Sequence, residues 1–342
     1  MERKLKNPER IESFIDFLFY SQKYGTFTEA EKTDPNDHSH DTWRRELINL
    51  QNHQNLLWER VKTFVQPQKG YLIADDTIID KPFGKKIECV GFHHSGKHKR
   101  VVRGICLVTL LWSDGKRSFP IDFRIYHNDD GISKNEHLRD MLRVAKQRGF
   151  SPRFTMFDSW YSSNETLKLL KKWKWFYMVG IKSNRVLEYS VGRIQKIKTS
   201  LSRFLVSKKG LLCSLRGLGL HRFFSQTSSK PRMCYCCTNH TKMSRPDWKE
   251  LKRISFSIEN YHRSLKQHCL VERCQSRRRD IQSAYIALCL CAFVKMEVSR
   301  HSKSMSLYEY HRIFFRDIIK RFRRKIPENP LYGQTHVFCG VR

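Results

Sequence analysis

Residues 71–79 read Tyr-Leu-Ile-Ala-Asp-Asp-Thr-Ile-Ile, an apolar strand broken at its centre by two aspartates. A carboxylate inside such a run loses its hydration unless it is paired or bound to a cation, so Asp75 and Asp76 form the first candidate site. The text downstream predicts a sheet around this strand. Residues 101–112 are β-branched and apolar, which predicts a buried strand. Ser113-Asp114-Gly115-Lys116 is a hairpin turn, and Phe119, Ile121, Phe123 and Ile125 alternate on the strand that returns from it. Ser133, with Glu136 three residues on, predicts a capping box opening a helix through Leu138, Met141, Leu142 and Ala145, which Gly149 stops. Residues 154–157 predict a short strand that ends at Asp158. Ser162 and Glu165 predict a second capping box, with Leu167, Leu169 and Leu170 in its helix, and residues 176–181 predict a fifth strand.

Three antiparallel strands, helix, strand, helix, strand is the RNase H-like order. The expected class is therefore α/β: an RNase H-like core with a mixed five-stranded sheet and helices, a β-rich insertion, and helical N- and C-terminal regions. Residues 1–68 read as helical, with Asp41 as a helix cap, an arrangement compatible with a helix-turn-helix and equally with a plain helical brace. Residues 69–182 form the first part of the core, and residues 183–250 are the insertion, with strand-like runs at 203–206, 211–215 and 233–237. Residues 251–298 supply a helix opened by Glu259 and a packing helix, and residues 299–342 a basic helical tail.

The charge balance narrows the partner. Lys and Arg total 65 against 33 Asp and Glu, a formal net charge of +32. A chain this basic repels itself unless it meets a polyanion, and nucleic acid is the common one, because each neutralised phosphate releases condensed counterions. The longest apolar run, near Ile286 to Phe293, is far shorter than the ~20 residues of a membrane span, so no membrane partner is expected. The N-terminal residues show no apolar signal core, and the 11 cysteines are an odd number, so reduced thiols in a cytoplasm are expected. Cys234, Cys236, Cys237 and His240 lack zinc-finger spacing and read as a cysteine-rich strand.

Cutting or joining phosphodiesters asks for carboxylates far apart in sequence that converge in the fold to hold divalent metals. Asp75 lies in the first strand, Asp158 ends the fourth, where α/β folds gather their sites, and Glu259 opens a later helix. The stretches LIADDTIIDKPFGKKIE (72–88), RFTMFDSWYSS (153–163) and FSIENYHRSLKQHCLVERCQSRR (256–278) resemble, in turn, the first-aspartate, second-aspartate and glutamate segments of insertion-sequence transposases of the DDE type. The intervening VGFHHSGKHKRVVRGICLVTLLW (90–112) and FPIDFRIYHNDD (119–130) read like the second and third strands of that family. The likeness runs over roughly residues 71–297 and is greatest to cut-and-paste members with a β-strand insertion before the glutamate, several of which form DNA hairpins.

The resemblance implies a DNA transposase with Asp75, Asp158 and Glu259 as catalytic, metal-holding carboxylates, with Asp76 as the alternative to Asp75. It implies two Mg²⁺ ions, for which Mn²⁺ substitutes. The implied partners are terminal inverted repeats, target DNA and a second protomer, in a prokaryotic cytoplasm at the nucleoid. The glutamate signature of that family is Tyr, two residues, Arg, three residues, Glu, six residues, Lys. Here Glu259 and Lys266 hold the last two places, while Lys252 and Ser255 replace the Tyr and the Arg. Lys266, Arg263 and Lys252 are the candidate DNA contacts. The rival expectations are an RNase H-like nuclease without strand transfer and a basic DNA-binding protein without catalysis.

Overall fold

The computed structural model describes residues 7–325 apart from 22, 97, 191–192, 197–209 and 228–232. The strand run expected at 203–206 lies outside these residues. The chain divides into two compact units, Met1–Glu297 and Val298–Arg342.

The first unit opens with helices α1 (Pro8–Tyr20), α2 (Phe27–Thr33), α3 (His40–Asn49) and α4 (His53–Val61). Four strands follow: β1 (Tyr71–Asp80), β2 (Gly91–Ser95), β3 (Arg100–Ser113) and β4 (Ser118–Tyr126). Then come α5 (Lys134–Gln147), β5 (Phe154–Phe157), α6 (Asn164–Lys172) and β6 (Tyr177–Ile181). Strands β7 (Val186–Ser190), β8 (Arg193–Lys196), β9 (Leu211–Leu215), β10 (Gly219–Thr227) and β11 (Met233–Thr238) precede α7 (Arg245–Ser255), α8 (Ser257–His268) and α9 (Arg279–Ser302).

Strands β4, β3 and β1 are antiparallel neighbours, and β1, β5 and β6 are parallel. The order β4-β3-β1-β5-β6 is that of an RNase H-like core, as the turn and cap signals predicted. The sheet continues beyond it. β11 pairs antiparallel with β6, and β10, β9, β7 and β8 follow, so the strands between β6 and α7 extend the core sheet and cover what would otherwise be its open edge.

Local chemistry explains the element ends, with three corrections. Ser133 and Glu136 form the expected capping box on α5. On α6 the cap is Ser163, whose hydroxyl accepts the Thr166 N–H; Ser162 is engaged elsewhere, donating to the Ser159 carbonyl at 3.1 Å. On α3 the cap is Ser39, which accepts the Thr42 N–H, and Asp41 lies in the first turn, where its charge suits the helix dipole. The helix after the strands is not the glutamate helix but α7, capped by Ser244 and Asp247; α8 follows after Phe256.

The core is built on α9. This helix of 24 residues is long and apolar enough to cross a membrane by length and composition, a longer run than the sequence reading gave it, yet its apolar window is 83% buried within the protein. Phe293 meets Tyr261 of α8 edge-on at 4.8 Å, Tyr285 meets Phe14 of α1, and His53 of α4 hydrogen-bonds Ser283 at 2.8 Å. The N-terminal helices thereby wrap the same apolar helix that backs α8. In the second unit, α10 (Leu307–Lys325) places Arg312, Arg316, Lys320 and Arg323 at exposed positions three or four residues apart.

Candidate active site

The register of β1 and β5 decides what comes together. Ala74 lies opposite Phe157, so the next residues, Asp75 and Asp158, leave the parallel pair side by side. Asp158 starts a tight turn, its carboxylate accepting the Trp160 N–H at 2.8 Å. The turn presses against β6 at Gly180, where a Cβ would stand 2.7 Å from the Ser159 nitrogen and 3.1 Å from the Asp158 carbonyl carbon. Only glycine lets β6 run this close. Glu259 arrives from the first turn of α8, which packs along β1. His262 hydrogen-bonds Thr109 at 2.8 Å, and Thr109 lies opposite Asp75 on β3, so α8 is keyed to the carboxylate strand.

The electrostatics separate the two neighbouring aspartates. Burial, then the carboxylates of Asp76, Asp158 and Glu259, push the Asp75 carboxyl up to about 8. Desolvation by the surrounding chain and the nearby Asp76 also raise Asp158, against the pull of the Trp160 and Tyr161 N–H groups. Among the described residues, no Lys or Arg forms an ion pair with Asp75, Asp158 or Glu259. Asp76 differs: Lys134 of α5 donates to it at 2.7 Å and the Tyr161 hydroxyl at 2.6 Å. Burial alone would raise Asp76, but Lys134, Tyr161 and Cys106 hold it below the ordinary carboxylate value. Asp76 is thus already neutralised, whereas Asp75 faces two further carboxylates without a counter-ion.

That donor set fits hard divalent cations, which take carboxylate oxygens. Among the described residues no three such side chains already close on one point.

Around the cluster the structure is basic and aromatic. Trp160 is 56% exposed, with Lys182 5.1 Å and Lys134 5.8 Å from its ring centre, while its neighbour Tyr161 is buried. Lys252 and Arg263 are exposed on α7 and α8. Lys266 lies two turns past Glu259, but its ammonium turns onto β1, donating to the Ile78 carbonyl at 2.5 Å with Glu272 3.7 Å away. Ser255 donates to the Lys252 carbonyl and stands in for no guanidinium. Neither Lys134 nor Gly180 is singled out by the sequence; a glycine inside a strand pattern is the one signal that points to close approach there.

Residues 66–294 match the family model described as a transposase DDE domain. The chain belongs to that family. Members of the transposase DDE family work with divalent metal ions. Solved structures similar to this chain include two transposase complexes. One is a piggyBac transposase synaptic complex with hairpin DNA, at 14% identity and a TM-score of 0.44, covering 78% of this chain and 56% of that one. The other is a Drosophila P element transposase strand transfer complex, at 12% identity and a TM-score of 0.27, covering 59% of this chain and 50% of that one. The chain thus spans about half the length of the solved relatives it matches. No curated protein matches it.

Proposed function

We propose that this chain is the transposase of a mobile DNA element: it cleaves the element's terminal inverted repeats and joins the ends to target DNA. The observation that supports the reading is that Asp75, desolvated by burial, feels the charges of Asp158 and Glu259 from distant segments with no ion pair among the described residues, beside Asp76, which has one. These three residues would hold two Mg²⁺ ions, or Mn²⁺ in their place, and Asp75 rather than Asp76 is the first of them. When bound, the ions supply charge stabilisation to the attacking and leaving oxygens of the phosphodiester.

The remaining work falls to this chain's side chains. Lys134 balances the charge of ionised Asp76 and draws its carboxylate onto α5. The turn at Asp158 is held by Gly180 and by its own Asx-type hydrogen bond, so the carboxylate is set before DNA arrives. Lys252 and Arg263, exposed on adjoining helices, contact phosphates and so position the strand without reading sequence. Trp160, standing in solvent beside Asp158, offers a face for a base at the distorted DNA end. A second protomer in the DNA complex completes the reading.

The test is cleavage of the DNA that flanks the gene in its source genome, with Mg²⁺ or Mn²⁺, by the native chain, Asp158→Asn and Glu259→Gln. The expected result is cutting at the repeat ends that falls by at least about 10³-fold in both variants while DNA binding is kept. A pre-cut end incubated with plasmid should be joined to it; hydrolysis without joining would identify a nuclease. Binding without cutting by the native chain would sink the enzyme reading, leaving a DNA-binding protein, and Ser255→Arg would be the first reversion to try.

A further inference from the structure

A second feature lies at the far end of the same β1–α8 pair. The chain leaving β1 forms the loop Lys81-Pro82-Phe83-Gly84-Lys85-Lys86, and the segment after α8 faces it across an open cleft of about 840 Å³. The Phe83 ring is 95% exposed at the rim, and Lys85, Lys86, Arg273, Gln275 and Arg277 also line the cleft with exposed side chains. Its two carboxylates are already engaged: Asp80 pairs with His98 at 2.9 Å, and Glu272 lies 3.7 Å from Lys266. The free charge of the cleft is therefore positive.

The walls are fixed to each other. Buried Lys81 donates to the Glu272 carbonyl at 2.8 Å and to the Cys274 carbonyl at 2.6 Å. The Glu88 N–H donates to the Arg277 carbonyl, and the Arg279 N–H to the Glu88 carboxylate at 2.8 Å. Gln282 holds the Ser276 carbonyl at 2.6 Å. An aromatic ring left in water on a braced basic rim has no folding role, since it packs against nothing that its loss would expose. A braced cationic cleft with a free aromatic face matches the way proteins hold an unstacked nucleotide: phosphate on the cations, base on the ring.

We infer that this cleft binds one unstacked nucleotide of the DNA, with its base on Phe83 and its flanking phosphates on Lys85, Lys86 and Arg277. The inference rests on the transposase reading for its partner and adds a second contact at a set distance. Asp80 follows Asp75 by five residues along β1, about 17 Å at the rise of a strand. At ~3.4 Å per base step, that places the bound nucleotide about five steps from the phosphodiester held at the carboxylates. The cleft and the carboxylates thus grip one DNA segment at two points.

Photocrosslinking tests this. The full chain would be mixed with a series of duplexes spanning the flank of the gene, each with one 5-iodouracil, and the crosslinked residue identified by mass spectrometry. The expected crosslink is to Phe83, from substitutions about three to seven steps from the cut site. Phe83→Ala should abolish it and weaken DNA binding by about ten-fold, while Phe83→Tyr keeps both. Lys85→Ala with Lys86→Ala should weaken binding and flatten its dependence on salt. Unchanged affinity and crosslinking pattern in Phe83→Ala would overturn the inference. So would a change in sedimentation with no change in DNA binding, which would make the ring a protein contact. Cleavage by the native chain is read in the same samples. A Phe83 crosslink without cleavage keeps the cleft and removes the transposase reading; cleavage without the crosslink does the reverse.

Discussion

Asp75 and Asp76 are adjacent in the chain and opposite in environment, and the difference is set by what lies across from each. Asp76 meets Lys134 and Tyr161; Asp75 meets other carboxylates. Their amide variants should therefore move stability in opposite directions when no divalent ion is present. Asp75→Asn relieves repulsion inside a poorly hydrated cluster and should raise the melting temperature by a few degrees, while abolishing cleavage. Asp76→Asn leaves the Lys134 ammonium, only 16% exposed, without its counter-charge, and should cost roughly 2–4 kcal/mol. Calorimetry in the presence of a chelator reads both. The reverse order, Asp75→Asn less stable and Asp76→Asn more so, would make Asp76 the member of the cluster. Gly180→Ala belongs at this scale too. Its methyl would meet the Ser159 nitrogen and displace the Asp158 turn. A shift of about 1 Å at a reacting group can cost ~10²-fold in rate, so cleavage should fall by that order with DNA affinity unchanged. Full activity in this variant would mean the turn tolerates the move.

Elements show why part of this was legible in the sequence and part was not. β1, β3, β4 and β5 were readable because parallel or doubly covered strands are runs of Ile, Val, Leu and Phe between turn signals, and their ends were found to within about one residue. β2, Gly-Phe-His-His-Ser, has no such run; it exists because β3 overshoots β4 and leaves residues 100–104 to pair. α7 was missed although Ser244 and Asp247 cap it, because the signal used was Ser with Glu three residues later. Asp158 and Glu259 were visible through their element ends, but the partner of Asp76 was not, since Lys134 is 58 residues away and is aimed by the cap of α5. The insertion holds a further buried polar pair, where Tyr177 of β6 hydrogen-bonds His221 of β10 at 2.5 Å, and the other ring nitrogen of His221 lies 2.7 Å from the Gly219 carbonyl. Burial holds His221 below its ordinary value. A lowered imidazole stabilises the fold fully above its unfolded value, ~6.5, and that contribution is lost as pH falls below it toward the folded value. The protection of β10 and β11 amides, after correction for the intrinsic exchange rate, should therefore fall below about pH 6.5 before that of β1 and β3 responds. Tyr177→Phe with His221→Leu should remove that pH dependence. An unchanged profile in the double variant would place the acid sensitivity elsewhere.

Across the whole molecule, positive charge is spread over several regions rather than one, which suits the proposed DNA partner. Residues 298–342 hold ten Lys and Arg against three Asp and Glu, within a chain of net charge +32. On α10, Arg312, Arg316, Lys320 and Arg323 recur at helical spacing on exposed positions, so they form one basic stripe. A stripe of this kind lies along a phosphate backbone and adds affinity without sequence preference. Its contribution is measurable without removing the helix, because alanine is a good helix former and the apolar face of α10 stays intact. Each phosphate contact contributes about −0.9 to the slope of log affinity against log salt concentration on duplex DNA. Replacing the four residues by alanine should make that slope shallower by up to about four such increments, equally for repeat-end and random duplexes. Cleavage per bound complex should not change, since the carboxylates are untouched. If affinity fell for repeat ends alone, α10 would be reading sequence and not backbone. If the slope did not move, the stripe would lie off the DNA, and the salt dependence would have to come from the helices and loops of the first unit.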